Sequence, residues 1–505
     1  MTSTTPDPIE RRLFWLCVVL GAWLCVAMPV FSQEAYYWCY AQHPDLSYYD
    51  HPPMVAWWIW LGTALLGDNV AGIRLGTWLF TSGTTWIGLI WLRRVGAEAW
   101  VRRGWLVCTF AMPLMMCTHF LTTPDPPVVF FWAAAMYALW RSRDGGIGWW
   151  VLAGAAAGGG LLSKYAAAFL AVGGVLILAF DPAMRRQLRR PGPYVGVLVA
   201  GAAFTPVVLW NVANDFESFR FQTEDRWANS ALDLRWFGEF VGSQLGLLHP
   251  VIALALPFAL IWQLRRALAG DRLALWLIAF GLPMPLFFLV NSLFIHAKIN
   301  WLLPCNLSLA ATVLLWWRDS GRAAQRPRAD RILTRIMVGS AILLPLLAPV
   351  VRLLPQSAGT SWQGWGHIAE RAEFWEEEID SQDGIAGNVF FFASGYRDAA
   401  QLSLHLRQLA HALPESHELE GVLAQNVFGQ PALEFDHWAP AEGHIGQDGI
   451  YVLLRPDRRP RELDRLARHF DSVERVERVE IESLAWCTAV ADIYVARRYR
   501  GPGAR

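Results

Sequence analysis

Residues 13–31 read LFWLCVVLGAWLCVAMPVF, an uninterrupted apolar run that follows directly on Arg11 and Arg12. The run is longer than a signal-peptide core, and no small-residue cleavage site precedes Glu34, so we interpret it as a retained first membrane span. Apolar segments of similar length recur until about Leu354. The predicted spans lie near 13–31, 69–92, 104–121, 127–140, 147–162, 165–180, 195–213, 244–263, 273–291, 301–317 and 333–353. The shorter piece from Met54 to Leu66 is predicted to lie along the interface or to re-enter.

The composition agrees with a membrane protein. Hydrophobic residues make up 54% of the 505 residues and charged residues 17%, against about 25% charged in soluble domains. The 28 tryptophans suit a chain with many membrane–water interfaces. The formal net charge is zero, which gives nucleic-acid binding no support. The cysteines show no paired spacing, so neither a disulfide framework nor a zinc site is indicated, and the need for a metal is left unassigned.

Arginine-rich loops set the predicted orientation. With the spans above, five such loops fall on the same side as the N-terminus, which the positive-inside rule makes the cytoplasm. Their members are Arg93, Arg94, Arg102 and Arg103; Arg141 and Arg143; Arg185, Arg186, Arg189 and Arg190; Arg265, Arg266 and Arg272; and Arg318, Arg322, Arg326, Arg328, Arg331 and Arg335. The opposite side collects 32–53, 122–126, 163–165, 214–235 and 292–300. Lys164 and Lys298, the only two lysines of the chain, both fall there.

The pattern changes from about Pro355, where long apolar runs stop. Residues 388–392, 450–454 and 491–495 are predicted to be strands, and a helix is predicted from about Arg397 to Leu409. The fold class predicted is an α-helical polytopic membrane protein with about eleven spans and interfacial helices, followed by a small C-terminal α/β domain. The predicted domains are 1–354 in the membrane, 355–498 in the periplasm, and a disordered tail at 499–505.

Several acidic and aromatic residues lie on the predicted outer side. Glu34 follows the first span, and Tyr49, Asp50 and His51 come shortly after it. Carboxylates in that place are suited to work on a lipid-linked polar group. Two plainer interpretations stay open: Glu34 as an ordinary solvated charge on an interfacial amphipathic helix, and Asp125 as a helix N-cap.

Four motifs resemble the dolichyl-phosphate-mannose protein mannosyltransferase family, including its bacterial lipid A aminoarabinose and galacturonic acid transferases. The first is Glu34-Ala-Tyr-Tyr-Trp with Tyr-Tyr-Asp50-His51-Pro-Pro behind it. The others are Thr-Pro-Asp125-Pro-Pro, Gly-Leu-Leu-Ser-Lys164-Tyr and His296-Ala-Lys298-Ile-Asn300-Trp301-Leu-Leu-Pro304. The likeness covers about 20–360, and residues 390–397 and 435–438 resemble the outer domain of the bacterial branch. The resemblance implies the GT-C fold, of the glycosyltransferase family 39/83 type.

The implied activity is transfer of a single sugar from a polyprenyl-phosphate donor, such as undecaprenyl phosphate, to an envelope glycolipid, oligosaccharide or protein. The reaction would run by inverting displacement on the periplasmic face of the bacterial inner membrane. A carboxylate would serve as base, and cations would stabilise the departing phosphate. Glu34, Asp50 and Asp125 are assigned to base or acceptor orientation, Lys164, Lys298 and His51 to the carrier phosphate, and Tyr49, Asn300 and Trp301 to the site walls. No cofactor is expected, and a divalent cation is not indicated.

One position departs from the family. Gln33 stands where the family usually has an aspartate that is regarded as catalytic, and Gln33 cannot act as a base. Two other functions therefore stay open: a transporter or flippase of lipid-linked sugars, and a non-catalytic family member. A transporter is expected to carry charges at the membrane midplane, but only Arg74 lies well inside a predicted span.

Overall fold

The structure, a computed structural model, describes residues 7–225, 227, 230–356, 360–383, 389–412, 421–483 and 486–503. The chain divides into two compact units. The first unit comprises residues 1–27, 46–55 and 74–348, and the second comprises 28–45, 56–73 and 349–505. The second unit therefore takes in two segments near the N-terminus. Compactness does not locate a membrane boundary, so the predicted domains 1–354 and 355–498 stay predictions.

Helices dominate the first unit and strands occur in the second. In chain order the α-helices are α1 (Pro8–Ala27), α2 (Ser32–Gln42), α3 (Met54–Leu66), α4 (Val70–Arg94), α5 (Ala99–Ala111), α6 (Pro113–Cys117), α7 (Asp125–Ser142), α8 (Ile147–Ser163), α9 (Phe169–Phe180), α10 (Pro182–Gln187), α11 (Gly192–Ala213), α12 (Glu217–Arg220), α13 (Leu234–Leu247), α14 (Pro250–Leu268), α15 (Arg272–Gly281), α16 (Pro283–Asn291), α17 (Asn306–Asp319), α18 (Arg322–Gln325), α19 (Pro327–Leu347), α20 (Trp365–Asp383), α21 (Tyr396–Ala412), α22 (Phe435–Trp438) and α23 (Pro460–His469). A π-helical turn lies at Phe221–Asp225, and 3₁₀ turns at Tyr165–Ala168, Leu303–Cys305, Ala348–Leu353, Gln425–Phe428, Ala441–His444 and Pro456–Arg458. The strands are β1 (Val389–Ala393), β2 (Asp448–Leu454), β3 (Phe470–Ser483) and β4 (Trp486–Tyr499).

Each predicted span contains a helix, but many of the helices are short. Among the described residues, four helical stretches are long and apolar enough to cross a membrane, or up to five if the bent pair α1 and α2 is one span. Proline breaks one of the predicted spans: Pro113 begins α6 directly after α5, because proline lacks the N–H that would continue the preceding helix. The count of about eleven spans stays a prediction.

Glycines let α8 and α11 approach closely. A Cβ added at Gly154 would lie 2.2 Å from the backbone oxygen of Gly196, and one at Gly158 would lie 2.4 Å from the Cβ of Ala203. Such contacts are far below normal van der Waals separation, so larger residues would push the helices apart. Small residues spaced four apart favour this packing in lipid, where burial of apolar side chains gives little driving force.

Ion pairs gather the arginine-rich loops at one end of the first unit. Glu10 of α1 is fully buried and binds Arg93 and Arg102. Further contacts link the loops to one another: Arg94–Asp144 at 3.7 Å, Gln187 to the Arg143 carbonyl at 3.2 Å, Arg272–Asp181 at 3.4 Å, Arg266–Asp319 at 3.6 Å and Arg318–Glu98 at 2.9 Å. These contacts join all five loops to the N-terminal helix, as the sequence predicts.

Arg74, the one charge well inside a predicted span, has a structural partner. Its side chain is buried, and Nη1 donates to the Cys25 carbonyl at 2.8 Å. Cys25 lies in the last turn of α1, where carbonyl oxygens lack intrahelical partners. Arg74 therefore caps a helix end.

The second unit contains a four-stranded mixed sheet in the order β1-β2-β4-β3. β1 and β2 are parallel, and the other two pairings are antiparallel. Its core consists of apolar side chains from one sheet face and the segments that cover it, including Phe390, Phe392, Tyr451, Leu453, Phe470 and Tyr499. The three predicted strands and the predicted helix are present as β1, β2, β4 and α21, and Asn388, predicted to begin the first strand, lies outside the described residues.

Two features of the second unit differ from the predictions. No sequence pattern predicts β3. Tyr499, where a disordered tail is predicted, is the buried last residue of β4, and Arg500 donates through Nε to Asp471 at 2.7 Å. These contacts argue against disorder for residues 499–503.

Candidate active site

The site is built around Asp125, the first residue of α7. Pro124 precedes it as the N-cap residue, so the alternative interpretation of Asp125 as the cap itself is wrong. The Asp125 N–H donates to Thr123 Oγ1 at 3.3 Å, which fixes the carboxylate at the helix start. An acidic side chain in the first turn is favoured by the helix dipole.

Lys164 reaches the same carboxylate from another element. It terminates α8 in an extended conformation, with φ −161° and ψ 136°, before a 3₁₀ turn begins at Tyr165. This break between two helices directs its side chain to Asp125, and Nζ donates to Oδ1 at 2.7 Å. Asp125 is 4% exposed and Lys164 is 8% exposed. The pair is therefore a buried ion pair, in which loss of either partner leaves an uncompensated charge.

A third motif supplies the second contact. Asn300 donates through Nδ2 to Asp125 Oδ2 at 2.6 Å. The segment around it is held by Gln244, whose Nε2 donates to the Ile299 carbonyl at 3.0 Å. Lys298 is exposed, and the Trp301 ring packs on Phe288 with 4.6 Å between centroids. Both oxygens of Asp125 thus accept hydrogen bonds from segments far away in the sequence.

Tyr49, Asp50 and His51 lie in the same unit. The Asp50 carbonyl accepts from Gln222 Nε2 at 2.9 Å, and the Tyr49 ring contacts Phe221 with 4.9 Å between centroids. Asp50 is close enough to act electrostatically on the hydroxyl of Tyr165, the residue after Lys164. His51 Nε2 lies 4.0 Å from Asp50 Oδ2. The structure therefore brings these residues near the end of the first unit where Lys164 lies.

This end is far from the arginine loops. Asp125 begins α7 and Arg141 lies in its last turn. The 18 residues of α7 span about 27 Å at 1.5 Å per residue. The candidate site and the arginine loops are thus at opposite ends of the first unit, as their predicted sides require.

Glu34 and Gln33 belong to the second unit. Glu34 is fully buried, and Oε2 accepts from the Phe31 N–H at 3.0 Å, which is the reciprocal half of a capping box at the start of α2. Gln33 Oε1 accepts from Arg397 Nε at 3.0 Å. The interpretation of Glu34 as a solvated charge is therefore wrong, since its carboxylate is buried and caps a helix.

Sequence reasoning left Thr123, Gln222 and Arg397 without a role. Thr123 and Gln222 hold Asp125 and Asp50 in place, and Arg397 holds Gln33. Two of them had a signal in the sequence: Thr123 begins the Thr-Pro-Asp125-Pro-Pro motif, and Arg397 ends a segment that resembles the outer domain of the bacterial branch. The described residues contain no group of three or more His, Cys, Asp or Glu arranged to hold a metal ion.

The fold belongs to a known class, the GT-C membrane fold. The structure is similar to that of ArnT from Cupriavidus metallidurans in the apo state, with a TM-score of 0.62 and 16% identity over 95% of this chain and 97% of the other. The form of that ArnT bound to undecaprenyl phosphate gives a TM-score of 0.59. A helical membrane fold with a small C-terminal sheet is thereby confirmed.

Sequence comparisons find similarity to one protein family and to bacterial sugar transferases. The profile of the family described as dolichyl-phosphate-mannose-protein mannosyltransferase matches residues 50–210, which include Asp50, Asp125 and Lys164. Lipid A galacturonosyltransferase RgtD of Rhizobium johnstonii is 27% identical over 85% of this chain and 95% of its own length. A second relative, from Pseudomonas fluorescens, is undecaprenyl phosphate-alpha-4-amino-4-deoxy-L-arabinose arabinosyl transferase 1. It is 27% identical, and the match covers 56% of this chain and 52% of that relative. The chain is thus similar to this mannosyltransferase family over residues 50–210 and to a bacterial lipid A glycosyltransferase over most of its length.

Proposed function

We propose that this chain is a membrane glycosyltransferase that moves one sugar from an undecaprenyl-phosphate donor to a lipid A-type glycolipid. The enzyme class follows from relatives that are named for such transfers. The observation that carries the proposal is the meeting of three separate motifs at the Asp125 carboxylate, through Lys164 and Asn300. We place this site on the periplasmic face of the bacterial inner membrane, because it lies at the end opposite the arginine loops.

Lys164 is assigned to the donor phosphate. Its ammonium has three N–H donors and Asp125 Oδ1 accepts one of them, so the ion pair holds the cation in place while other donors address a ligand. In the reaction the acceptor oxygen bonds to the anomeric carbon, and the bond from that carbon to the phosphate oxygen breaks. The electron pair leaves with the polyprenyl phosphate, whose charge the ammonium stabilises. Displacement in one step inverts the anomeric centre. Lys298 and His51 are proposed as further phosphate contacts.

The acceptor hydroxyl must lose its proton to a base. Asp125 already accepts hydrogen bonds at both oxygens, so we assign it to holding Lys164. Asp50 is assigned as the proton acceptor in the first unit, and Glu34 is the remaining candidate in the second. Tyr49, Asn300 and Trp301 form the walls, with Asn300 also holding Asp125. No metal or cofactor is assigned a step.

A transfer assay tests the function. The purified chain in lipid nanodiscs is incubated with lipid A and with undecaprenyl phosphate that carries galacturonic acid or aminoarabinose. The mass of the lipid A is then measured by mass spectrometry. A mass gain of one sugar residue that depends on the donor is expected. The Asp50→Asn variant should bind donor but form no product. The control variant Arg498→Met should transfer sugar at the wild-type rate, because the Arg498 side chain is 76% exposed. Absence of product with every donor would contradict the function, and full activity of Asp50→Asn would move the base to Glu34.

A further inference from the structure

The loop that carries Asn300, residues 292–300, contains no helix or strand of its own. It follows α16, which ends at Asn291, and it precedes the 3₁₀ turn at Leu303–Cys305. The backbone groups of such a loop lack the regular partners that a helix or a sheet provides. The position of Asn300 therefore depends on the contacts that hold this loop.

Helix α13 lies alongside the loop and contacts it at successive points. The Asp233 N–H donates to the Leu293 carbonyl at 2.8 Å. Asp233 is also the N-cap of α13, because its side chain accepts from the Arg235 N–H. Further along, the Trp236 ring packs on the His296 ring with 4.6 Å between centroids. The loop thus follows the helix in the same direction, from the capped start of α13.

Gln244 makes the contact nearest to Asn300 in the sequence. Gln244 is 8% exposed and lies four positions after Phe240, which is also buried, so both side chains share one face of α13. Gln244 Nε2 donates to the Ile299 carbonyl at 3.0 Å. A carbonyl oxygen only accepts, so the amide nitrogen must face it and the orientation of the side chain is fixed. The next residue, Asn300, donates to Asp125 Oδ2 at 2.6 Å.

We propose that Gln244 is a positioning residue for sugar transfer. It holds the Ile299 carbonyl and thereby sets the place of Asn300. Asn300 in turn contacts Asp125, which holds the ammonium of Lys164. The inference rests on the proposed function, in which that ammonium stabilises the departing phosphate. A small displacement of a group that orients a reacting charge lowers the rate of the chemical step, so loss of the Gln244 hydrogen bond should lower kcat.

Substitution of Gln244 by methionine tests this role. Gln244→Met removes the N–H donor and keeps a side chain of similar length. With saturating donor and lipid A, and the full-length protein in nanodiscs, kcat is expected to fall about fivefold, because one neutral hydrogen bond is lost. Ser243→Ala is the matched control, since Ser243 Oγ donates to the Phe240 carbonyl of its own helix at 2.7 Å, and its kcat should stay within about twofold of the wild type. An unchanged kcat in Gln244→Met, or an equal loss in Ser243→Ala, would overturn the proposal.

Two further measurements separate positioning from packing. In an Asn300→Ala background, Gln244→Met should lower kcat by less than about twofold, because the route through Asn300 is already lost; a full fivefold loss there would overturn that route. Gln244→Glu keeps the shape of the side chain, but only its protonated form has an O–H donor. The ratio of its kcat to that of the wild type should therefore rise as the pH is lowered from about 8 to about 5. A ratio that does not change with pH would overturn the role of the hydrogen bond.

Hydrogen exchange tests the inference without any sugar transfer. In the substrate-free chain, the backbone amides of residues 296–301 should exchange about fivefold faster in Gln244→Met than in the wild type, because the loop opens more often when one of its contacts is lost. The same amides should exchange at the wild-type rate in Ser243→Ala. Equal exchange in all three proteins would overturn the support of the loop by Gln244. Absence of sugar transfer by the wild type, with this difference in exchange intact, would count against the proposed function alone.

Discussion

The two units differ in the charge at their motif residues: the first holds a buried ion pair, and the second holds a neutral amide beside an arginine. In the first unit, Asp125 is a buried carboxylate whose charge is balanced by Lys164, with Asn300 on its second oxygen. In the second unit, the position that the family resemblance marks as acidic is the neutral Gln33, and its amide oxygen meets Arg397. A buried ion pair depends on both partners, but an amide–guanidinium contact does not. Substitutions in the first cluster should therefore be severe, and those in the second should be graded.

The largest expected effect is on Lys164. Replacing it with Met should lower turnover about 100-fold, because the donor phosphate loses a charged contact worth roughly 1.5–3 kcal/mol and Asp125 loses its counter-ion. Lys298→Met is the matched comparison, since the chain has no other lysine and Lys298 is exposed. Initial rates of sugar transfer measure both. Equal losses in the two variants would show that burial beside Asp125 gives Lys164 no special role.

Of the substitutions considered, Asp125→Asn should lower the free energy of unfolding most. Asp125→Asn leaves the ammonium of Lys164 buried without a carboxylate, which we expect to cost about 3–5 kcal/mol, the range for breaking a buried pair. The double variant Asp125→Asn/Lys164→Met should regain much of that loss, because no unpaired charge remains. Unfolding midpoints in a fixed detergent give the double-mutant cycle. Additive losses would mean that the two side chains are not coupled.

Sequence patterns predicted the helices and singled out the site residues, but they did not predict which side chains contact one another. Asp125, Lys164 and Asn300 were each singled out, but contacts across 39 and 175 positions cannot be derived from one sequence. Lys164 was paired in prediction with Lys298 and a phosphate, and no sequence signal pointed to Asp125 as its partner. Glu34 was assigned to catalysis, and its buried contact with the Phe31 N–H follows only from the backbone at the start of α2.

β3 was missed for a local reason. Val473, Val476 and Val479 recur every third residue, a spacing that suits a helix face and not a strand, whose side chains alternate. A register shift between Arg475 and Glu477 resolves the conflict. The bulge shifts the side-chain alternation by one residue, so Val473, opposite Ala496, packs against the core on one face, and Val479, opposite Ala491, is buried on the other. A bulge of this kind hides a strand from periodicity.

Substitutions of Glu34, in the second unit, should change the free energy of unfolding less than those of Asp125 in the first. Glutamine also completes a capping box, so Glu34→Gln should keep the hydrogen bond from Phe31 and change the free energy of unfolding by less than about 1 kcal/mol. Glu34→Ala should lose about that amount. If Glu34→Gln is stable and still transfers sugar, Glu34 acts as a cap and Asp50 keeps the role of base. A stable but inactive Glu34→Gln would transfer that role to Glu34.

The smallest effect concerns an ion pair on the sheet. Burial alone would raise the pKa of Asp492, but hydrogen bonds and charge from Arg478, then Arg475, outweigh it and hold the pKa below its usual value. A lowered pKa in the folded state means that the carboxylate stabilises the fold at neutral pH and that this contribution is lost as the pH falls through the folded-state pKa. Asp492→Asn should thus lower the free energy of unfolding at pH 7 by about 1 kcal/mol or less, because both arginines are half exposed. The effect should be smaller at pH 3, and thermal unfolding at the two pH values measures both. An equal loss at both pH values would contradict this.

The central claim is that Lys164, held by Asp125, binds the donor phosphate. A cryo-electron microscopy structure of the chain with undecaprenyl phosphate tests it most directly. The account predicts a phosphate oxygen within hydrogen-bond distance of Lys164 Nζ, about 2.7–3.2 Å, with the Asp125 and Asn300 contacts retained. A phosphate bound elsewhere in the first unit, with the Lys164–Asp125 pair undisturbed and no density beside it, would contradict the claim.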